Sequence, residues 1–257
     1  MDANLGQFPC ILKVQKRGIE MVEDHVADML KTRLEVWQKR NSQQLPENIV
    51  IYRDGVSEGQ YGLVIEKELK GMREACKLKY PAGKAPNFTI IICGKRHNTR
   101  FYPTDVEQTG RTGNPRPGTV VDRGVTEAGN WDFYLQAHFA LQGTARPCHY
   151  YVIHDEVLGR HYSSRTNLQR AGFASTADAL EDLTHSMCYL FSRATKAVSY
   201  APPAYYADIA CERGRAYLAE LLGPGASDLA DAQGDPTAAV RNSVNVHADL
   251  VDSMYYI

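Results

Sequence analysis

Three carboxylates in widely separated segments are the residues best suited to chemistry: Glu20, Asp54 and Asp208. Hard cations such as Mg²⁺ take carboxylate oxygens as ligands and keep water and phosphate oxygens in their remaining positions. Two such ions activate an attacking water and stabilise the leaving oxygen of a phosphodiester. The three residues therefore predict a two-metal phosphodiesterase site, provided that the fold brings them together.

Each of these carboxylates also has a plainer interpretation. Asp54 follows the apolar run 49–52 and precedes Gly55, which is also the pattern of an aspartate that caps a turn after a strand. Glu20 and Asp24 lie one helical turn apart and are typical of the solvated, acidic first turn of a helix. The sequence pattern alone leaves both interpretations open.

A second set of residues carries positive charge at strand ends, in loops and on the last predicted helices. A nucleic-acid backbone needs dispersed cations along one channel, whereas a protein that merely balances its charge shows them too. The formal net charge of the chain is -1, so any nucleic-acid site is a local patch on an otherwise acidic surface. These cations are Lys95, Arg96, Arg100, Arg146, Arg193, Lys196, Arg213 and Arg215.

Other chemistries lack their sequence signatures. There is no G-x-x-x-x-G-K-[ST] loop and no strand-linked G-x-G-x-x-G, and the histidines at 138, 149, 154 and 161 do not have metal-ligand spacing. The 6 cysteines include no C-x-x-C pair, which favours reduced intracellular thiols. Because there is no membrane-length apolar run and no signal pattern, we expect a cytoplasmic protein, with the nucleus as a second location and no membrane partner.

The elements that must position these residues alternate between strands and helices. Short β-branched apolar runs predict strands, and apolar positions three and four residues apart predict helices. The predicted strands are 9–14, 49–52, 87–93, 119–122, 131–138 and 148–153. The predicted helices are 18–40, 58–79, 176–194, 203–221 and 237–254, and 155–174 is predicted to be an irregular basic insertion. The pattern predicts one α/β domain over residues 1–257, a central mixed β-sheet flanked by helices on both faces.

Four segments, in this order, resemble the PIWI domain of eukaryotic Argonaute proteins. They are YRDGVSEGQ at 52–60, KRHNTR at 95–100, QGTARP at 142–147 and PAYYAD at 203–208. Asp208 and the insertion 155–174 resemble fungal members more than animal ones. The resemblance covers the whole chain and implies an RNase H-like fold. It also implies binding of a small guide RNA and cleavage of complementary target RNA with two Mg²⁺ (or Mn²⁺) ions in RNA silencing.

The resemblance implies roles for the three carboxylates. The family has an active site of two aspartates, a mobile glutamate and a final aspartate or histidine. Asp54 matches the second aspartate, Glu20 opens the predicted helix 18–40 and matches the glutamate, and Asp208 matches the last member, so Asp54 and Asp208 are the implied metal ligands. The strand that carries the first aspartate lies upstream of the residue that matches Met1. The expectation is therefore a partial, N-terminally truncated PIWI domain without middle, PAZ and N-terminal domains.

The resemblance also implies a guide-binding surface. Arg213 matches a contact to the 5′-phosphate region, and the C-terminal carboxylate, here on Ile257, packs close to that pocket in the family. The positions that match the guide-backbone channel are Lys95, Arg96, Arg100, Arg146, Arg193, Lys196, Ser199 and Tyr205.

Three hypotheses follow for the activity of the chain. It is the PIWI part of a cleaving Argonaute, or a catalytically inactive module that binds guide RNA or a silencing partner, or a stand-alone RNase H-like nuclease. The order of the four motifs favours an Argonaute origin over the third hypothesis. The expected partners are guide RNA, complementary target RNA and silencing-complex proteins, and the chain is expected to be a monomer.

We predict that this chain alone does not cleave guide-matched RNA in the presence of Mg²⁺, because two-metal catalysis depends on the geometry of the full carboxylate set. A longer chain that carries the upstream strand is expected to cleave. Both are measured with labelled target RNA on denaturing gels. Guide-directed cleavage by the 257-residue chain that disappears in Asp54→Ala would contradict the prediction.

Overall fold

The structure, a computed structural model, describes residues 5–15, 19–163, 165–219 and 246–257. The chain divides into two compact units. The first contains residues 1–46, 59–85 and 206–257, and the second contains residues 47–58 and 86–205. Within the described ranges, no helix is long and apolar enough to cross a membrane.

Helices and strands alternate only as far as the second strand; three further strands and then four helices follow in the described residues, so the predicted alternation holds for the first part of the chain. The helices of the described residues are α1 (Glu23–Arg40), α2 (Tyr61–Leu63), α3 (Lys70–Lys79), α4 (Leu158–His161), α5 (Arg165–Ala171), α6 (Thr176–Met187) and α7 (Pro202–Tyr217). The strands are β1 (Asn48–Asp54), β2 (Asn87–Gly94), β3 (Thr119–Val121), β4 (Asp132–Gln136) and β5 (Cys148–Asp155). Short 3-10 turns occupy Glu58–Gln60 and Val106–Gln108, and a π-helical segment, Val64–Leu69, joins α2 to α3.

The sheet of the second unit is mixed, with the strand order β1-β2-β5-β4-β3. β1 and β2 pair in parallel, and the other neighbours pair antiparallel. Between Ile90 and Ile91 the pairing of β2 passes from His154 to Val152, which leaves one extra residue in β5, a β-bulge. The predicted mixed sheet is confirmed.

The core of the second unit is built on β2 and covered by α6. All six residues from Phe88 to Cys93 are buried, as expected for a strand that lies inside a sheet and is apolar on both faces. The hydroxyl groups of Tyr52 and Thr184 lie 2.9 Å apart in this core and form a buried hydrogen bond between β1 and α6. α6 begins with the predicted capping box of Ser175 and Asp178.

In the first unit, α1 packs against α3 and the π-helical segment. The helices come very close at Gly71, where an added Cβ would lie 2.6 Å from Cγ1 of Val26. A salt bridge of 2.8 Å between Lys79 Nζ and Glu35 Oε1 joins the same two helices. Glycine at position 71 therefore sets the spacing of α1 and α3.

The prediction of a strand at 9–14 is wrong, because this segment has partners other than a neighbouring strand. The Arg33 guanidinium donates to the carbonyl of Cys10 at 3.2 Å, and the Tyr256 hydroxyl donates to the carbonyl of Phe8. Cys10 Sγ lies 3.2 Å from the hydroxyl of Tyr255. Side chains of α1 and of the C-terminus thus satisfy backbone groups that a sheet would otherwise pair.

The predicted start of the first helix is also wrong. α1 begins at Glu23, and Glu20 lies exposed in the non-helical stretch before it. The backbone N–H of Val22, directly before the helix, donates a hydrogen bond to Glu68 Oε1 at 3.0 Å, and this contact explains why the helix begins here. Glu68 belongs to the π-helical segment, so a carboxylate from a distant part of the sequence satisfies a backbone group at the N-terminus of α1. The sequence pattern places the start of this helix at residue 18.

The remaining differences concern the ends and interiors of helices. The predicted helix 58–79 is a series of 3-10, α and π segments, α6 ends at Met187, and the described part of α7 is Pro202–Tyr217. The insertion 155–174 contains the short helices α4 and α5. Of the predicted helix 237–254, residues 237–245 lie outside the described residues and 248–254 form turns.

A pH-dependent stability is expected from Glu181 on α6. This side chain is 8% exposed, and its Oε1 has no hydrogen-bond partner among the described residues. Burial, followed by the charges of Asp122 and Asp178, raises the pKa of Glu181 to about 7. Because the folded-state pKa lies above the unfolded one, stability is fully present below about pH 4.5 and is lost as the pH rises through 7.

Glu181→Gln should therefore be more stable than the wild type at pH 8 by up to about 3 kcal/mol, with the difference shrinking towards pH 4. Urea denaturation at the two pH values measures it. Asp182→Asn, an exposed neighbour on the same helix, is the control and should show no such dependence. An equal free-energy difference at both pH values would refute the expectation.

Candidate nucleic-acid interface

One edge of the sheet collects the ends of four strands. β1 and β2 are parallel, with Asp54 level with Cys93, so both strands end there. β5 runs the other way and begins there, with His149 opposite Gly94. β4 ends at the same edge, beside the start of β5. Asp54, the loop after β2 and the segment before β5 therefore share one edge, the place where open α/β sheets bind ligands.

Asp54 is partly buried at the end of β1. Its Oδ1 accepts a hydrogen bond of 2.8 Å from the N–H of Gly55, whose φ of 77° suits glycine. The pKa of the Cys93 thiol is raised by burial first, and the charge of Asp54 acts in the same direction. This contact agrees with the turn-capping interpretation of Asp54, and its role as a metal ligand stays a prediction.

Three of the predicted guide contacts form one cationic cluster, Lys95, Arg100 and Arg146. Lys95 Nζ donates to the carbonyl of Arg146 at 2.8 Å. The Arg100 guanidinium donates to the carbonyls of His97 and Thr99 at 3.2 Å and 2.7 Å. In the described ranges, none of the three cations forms a salt bridge. Cations held this close without a carboxylate favour the binding of an anion.

The pKa values of Lys95 and of two nearby histidines are lowered by burial and by the charges of this cluster. Burial lowers the pKa of Lys95, and the charges of Arg146 and Arg100 lower it further. Burial, with Lys95 as the second cause, lowers the pKa of His138 to about 4. Burial also lowers the pKa of His97. Both histidines are neutral at pH 7, so the positive potential of the edge comes from the three fixed cations.

Behind the cationic cluster lies a group of residues that sequence reasoning missed. His149 Nε2 lies 2.7 Å from Oδ2 of Asp132, a carboxylate that is 5% exposed and also accepts from the N–H of Glu127. The His149 ring stacks on Tyr134 with 4.3 Å between centroids. We call Asp132, His149 and Tyr134 the Tyr134 stack.

The Tyr134 stack supports the two loops that carry the cations. The ring of His97 packs edge-on against Tyr134 at 5.3 Å, and His97 Nε2 lies 3.0 Å from the carbonyl of Pro147. Loop 95–100 is thereby tied to the segment that contains Arg146. The sequence alone did not give this register, because only the observed pairing of β4 with β5 places Tyr134 opposite His149.

The other predicted guide contacts of the second unit lie on its surface or in an aromatic group. Arg96, Arg193 and Lys196 are exposed, and Ser199 is partly buried. Lys196 Nζ lies 5.6 Å from the centre of the Phe139 ring, a cation–π contact. Tyr205 stacks with both Phe191 and Tyr200, at centroid distances of 4.6 Å and 4.9 Å.

The remaining predicted site residues belong to the first unit. Glu20 is exposed before α1, Asp208 and Arg213 are exposed on α7, and Ile257 is 44% exposed. Five positions along a helix correspond to a rotation of about 140°, so Asp208 and Arg213 point in different directions. This separation agrees with the different roles that the resemblance implies for the two residues.

The described residues do not assemble a metal centre by themselves. No three His, Cys, Asp or Glu side chains in the described ranges are grouped so that they could hold a metal ion. Asp54 belongs to the second unit, whereas Glu20 and Asp208 belong to the first. Among the described residues no complete set of metal ligands is found, and the catalytic assignment of the three carboxylates stays a prediction.

The sheet and its comparisons define the class of protein. The chain matches the Piwi domain family over residues 7–219. It is similar to the C-terminal lobe of a budding yeast Argonaute, with a TM-score of 0.81 and 31% identity over 98% of this chain and 48% of that one. The predicted RNase H-like fold is confirmed. The chain belongs to the Piwi domain family.

Its relatives are Argonaute proteins. Protein argonaute 2 of Oryza sativa subsp. japonica is 37% identical over 276 residues, which cover 100% of this chain and 24% of that protein. The Kluyveromyces polysporus Argonaute solved with a guide RNA has a TM-score of 0.75 and 31% identity over 93% of this chain and 26% of that one. The chain thus spans about a quarter of the length of these two proteins. The resemblance to Argonaute is confirmed, and the fungal origin stays a prediction.

Asp132→Ala should destabilise the protein by about 2–3 kcal/mol, because it removes the charged acceptor of His149 and of the Glu127 N–H. Asp132→Asn keeps one acceptor oxygen and should lose less. Urea denaturation at pH 7 measures the free energy of unfolding. Asp249→Ala is the control, since the side chain of Asp249 is 87% exposed and should change stability by no more than about 0.5 kcal/mol. A loss in Asp132→Ala no greater than in the control would show that the Tyr134 stack adds no stability.

Proposed function

We propose that this chain is the part of an Argonaute that holds a small guide RNA along its cationic sheet edge, and that the complete protein cleaves complementary target RNA in RNA silencing. The observation that carries the proposal is the cluster of Lys95, Arg100 and Arg146 at the sheet edge of a Piwi domain. The similarity to an Argonaute solved with a guide RNA supports it.

The proposed guide contacts divide between the two units. In the second unit they are the cationic cluster together with Arg96, Arg193, Lys196, Ser199 and Tyr205. In the first unit, Arg213 and the carboxyl end at Ile257 are proposed to lie at the guide 5′-phosphate. Phosphate contacts of this kind fix the position of the RNA without reading its sequence.

Cleavage is proposed for the complete protein. Asp54, Glu20 and Asp208 are the proposed carboxylates, with Mg²⁺ or Mn²⁺ as the ions that Asp54 and Asp208 would ligate. Because the described residues of this chain bring no three metal ligands together, the ion site is proposed only in the longer protein. A guide-RNA or partner-binding module that does not cleave is the second candidate, and the same observation favours it for the chain taken alone.

The setting of the activity is also part of the proposal. The partners are guide RNA, complementary target RNA and silencing-complex proteins, and the protein acts as a monomer. The proposed location is the cytoplasm, with the nucleus as a second one. The described cysteines form no disulfide bond, which agrees with a reducing compartment.

The double variant Lys95→Ala/Arg146→Ala should weaken binding of a 5′-phosphorylated single-stranded RNA and make that binding less dependent on salt. Each phosphate contact to a single strand contributes about 0.7 to the slope of log K against log salt, so two lost contacts lower its magnitude by about 1.4. Fluorescence anisotropy over a salt series measures the slope.

A matched control removes the same charge elsewhere. Lys84→Ala/Arg170→Ala replaces one lysine and one arginine that are exposed and have no proposed RNA contact. This variant should keep the wild-type slope. Equal slopes of log K against log salt in all three proteins would show that the cationic cluster does not contact the RNA.

A further inference from the structure

A cavity of about 360 Å³ opens next to the loop that carries the cationic cluster. Its size falls within the range of small-molecule sites. Its apolar lining includes Phe101, Tyr102, Pro115 and Val121, and Asp105 and Gln108 add polar groups. An apolar, aromatic cavity with a few polar groups suits a flat ring that has polar edges.

The lining of the cavity begins one residue after the loop of the cationic cluster. Phe101 directly follows Arg100, and its ring packs edge-on against Tyr134 at 5.5 Å. Tyr134 in turn stacks on His149 and contacts His97, on the loop that begins with Lys95. This adjacency favours a ligand with an anionic chain and a planar side group, which would use the cations and the cavity together.

Tyr102 provides a ring with which a ligand can stack. Its side chain is 70% exposed, although it lines the cavity. In the lining, Oδ1 of Asp105 accepts a hydrogen bond from the N–H of Glu107 at 2.9 Å, which orients this carboxylate. A carboxylate held in this way accepts from an exocyclic amino group such as that of cytosine.

We propose that this cavity binds an unpaired nucleobase of an RNA whose phosphates lie on Lys95, Arg100 and Arg146. The inference rests on the proposed function, since the cations must hold the RNA chain. A peptide side chain could also fill an apolar cavity, but three neighbouring cations without carboxylate partners favour a polyanion. Stacking of a base on an aromatic ring tolerates every base, because each has a π-face.

The test uses 2-aminopurine riboside, a fluorescent nucleoside without phosphate, and a single-stranded RNA that carries 2-aminopurine. Stacking quenches the fluorescence of the probe. Wild-type protein should quench the fluorescence of both ligands. Tyr102→Ala should weaken nucleoside binding about 5- to 150-fold, the range for loss of one base–aromatic stack. Tyr102→Phe retains the ring and should restore quenching, and Tyr189→Ala, which removes an exposed tyrosine elsewhere, should leave it unchanged.

The nucleoside separates this inference from the proposed function. In Lys95→Ala/Arg146→Ala, binding of the RNA should fall while quenching of the nucleoside persists. If no RNA binds but the nucleoside is quenched in a Tyr102-dependent way, the cavity is a base site and the guide-binding proposal fails. If Tyr102→Ala quenches the fluorescence of the nucleoside as strongly as wild type does, or the wild-type protein quenches no nucleoside, the cavity does not bind a base and the inference is overturned.

Discussion

The parallel pairing of β1 with β2 is the constraint on which the site depends. Parallel strands end at the same edge, so this pairing places Asp54 at the same edge of the sheet as the loop that starts at Lys95. Side chains two residues apart share a face of a strand, so Tyr52 and Asp54 lie on one face. The buried hydrogen bond of Tyr52 to Thr184 therefore also determines the face on which Asp54 emerges. A slip of one residue would reverse both side chains.

The cationic cluster is an unfavourable arrangement that the surrounding structure maintains. Lys95, Arg100 and Arg146 repel one another; burial is the main cause of the lowered pKa of Lys95, and this repulsion adds to it. Backbone carbonyls accept from Lys95 and Arg100, and the Tyr134 stack holds their loops from behind. These contacts hold the cations in place without a ligand, so fewer side chains would need to be ordered if the proposed RNA binds there.

Local signals predicted much of the fold. β1, β2 and the β4–β5 pair have compact apolar runs, and the capping box of α6 depends on two residues three positions apart. The incorrect predictions concern segments whose structure depends on residues far away in the sequence. Whether 9–14 becomes a strand depends on α1 and the C-terminus, and the start of α1 depends on a carboxylate 46 positions further along the chain.

The candidate site likewise contains residues that local sequence predicts and residues that only the tertiary structure brings together. Lys95, Arg100 and Arg146 were predicted because they occur in recognisable segments at strand ends. Asp132 and His149 are ordinary residues in the sequence, and only strand pairing brings them together. Convergence of Glu20, Asp54 and Asp208 is a property of tertiary geometry, which spacing along the chain does not determine.

The β-bulge opposite Ile90 and Ile91 has a consequence for how this domain can change during evolution. It divides β5 into a part that begins at Cys148 and a part that ends at Asp155, each with its own register against β2. The first part adjoins the cationic edge, and the second leads into the segment with α4 and α5. An extra residue is already accommodated between them, so the segment after β5 can gain or lose length while His149 stays level with Gly94. A change of length after β5 is therefore expected to leave the register at the cationic edge unchanged.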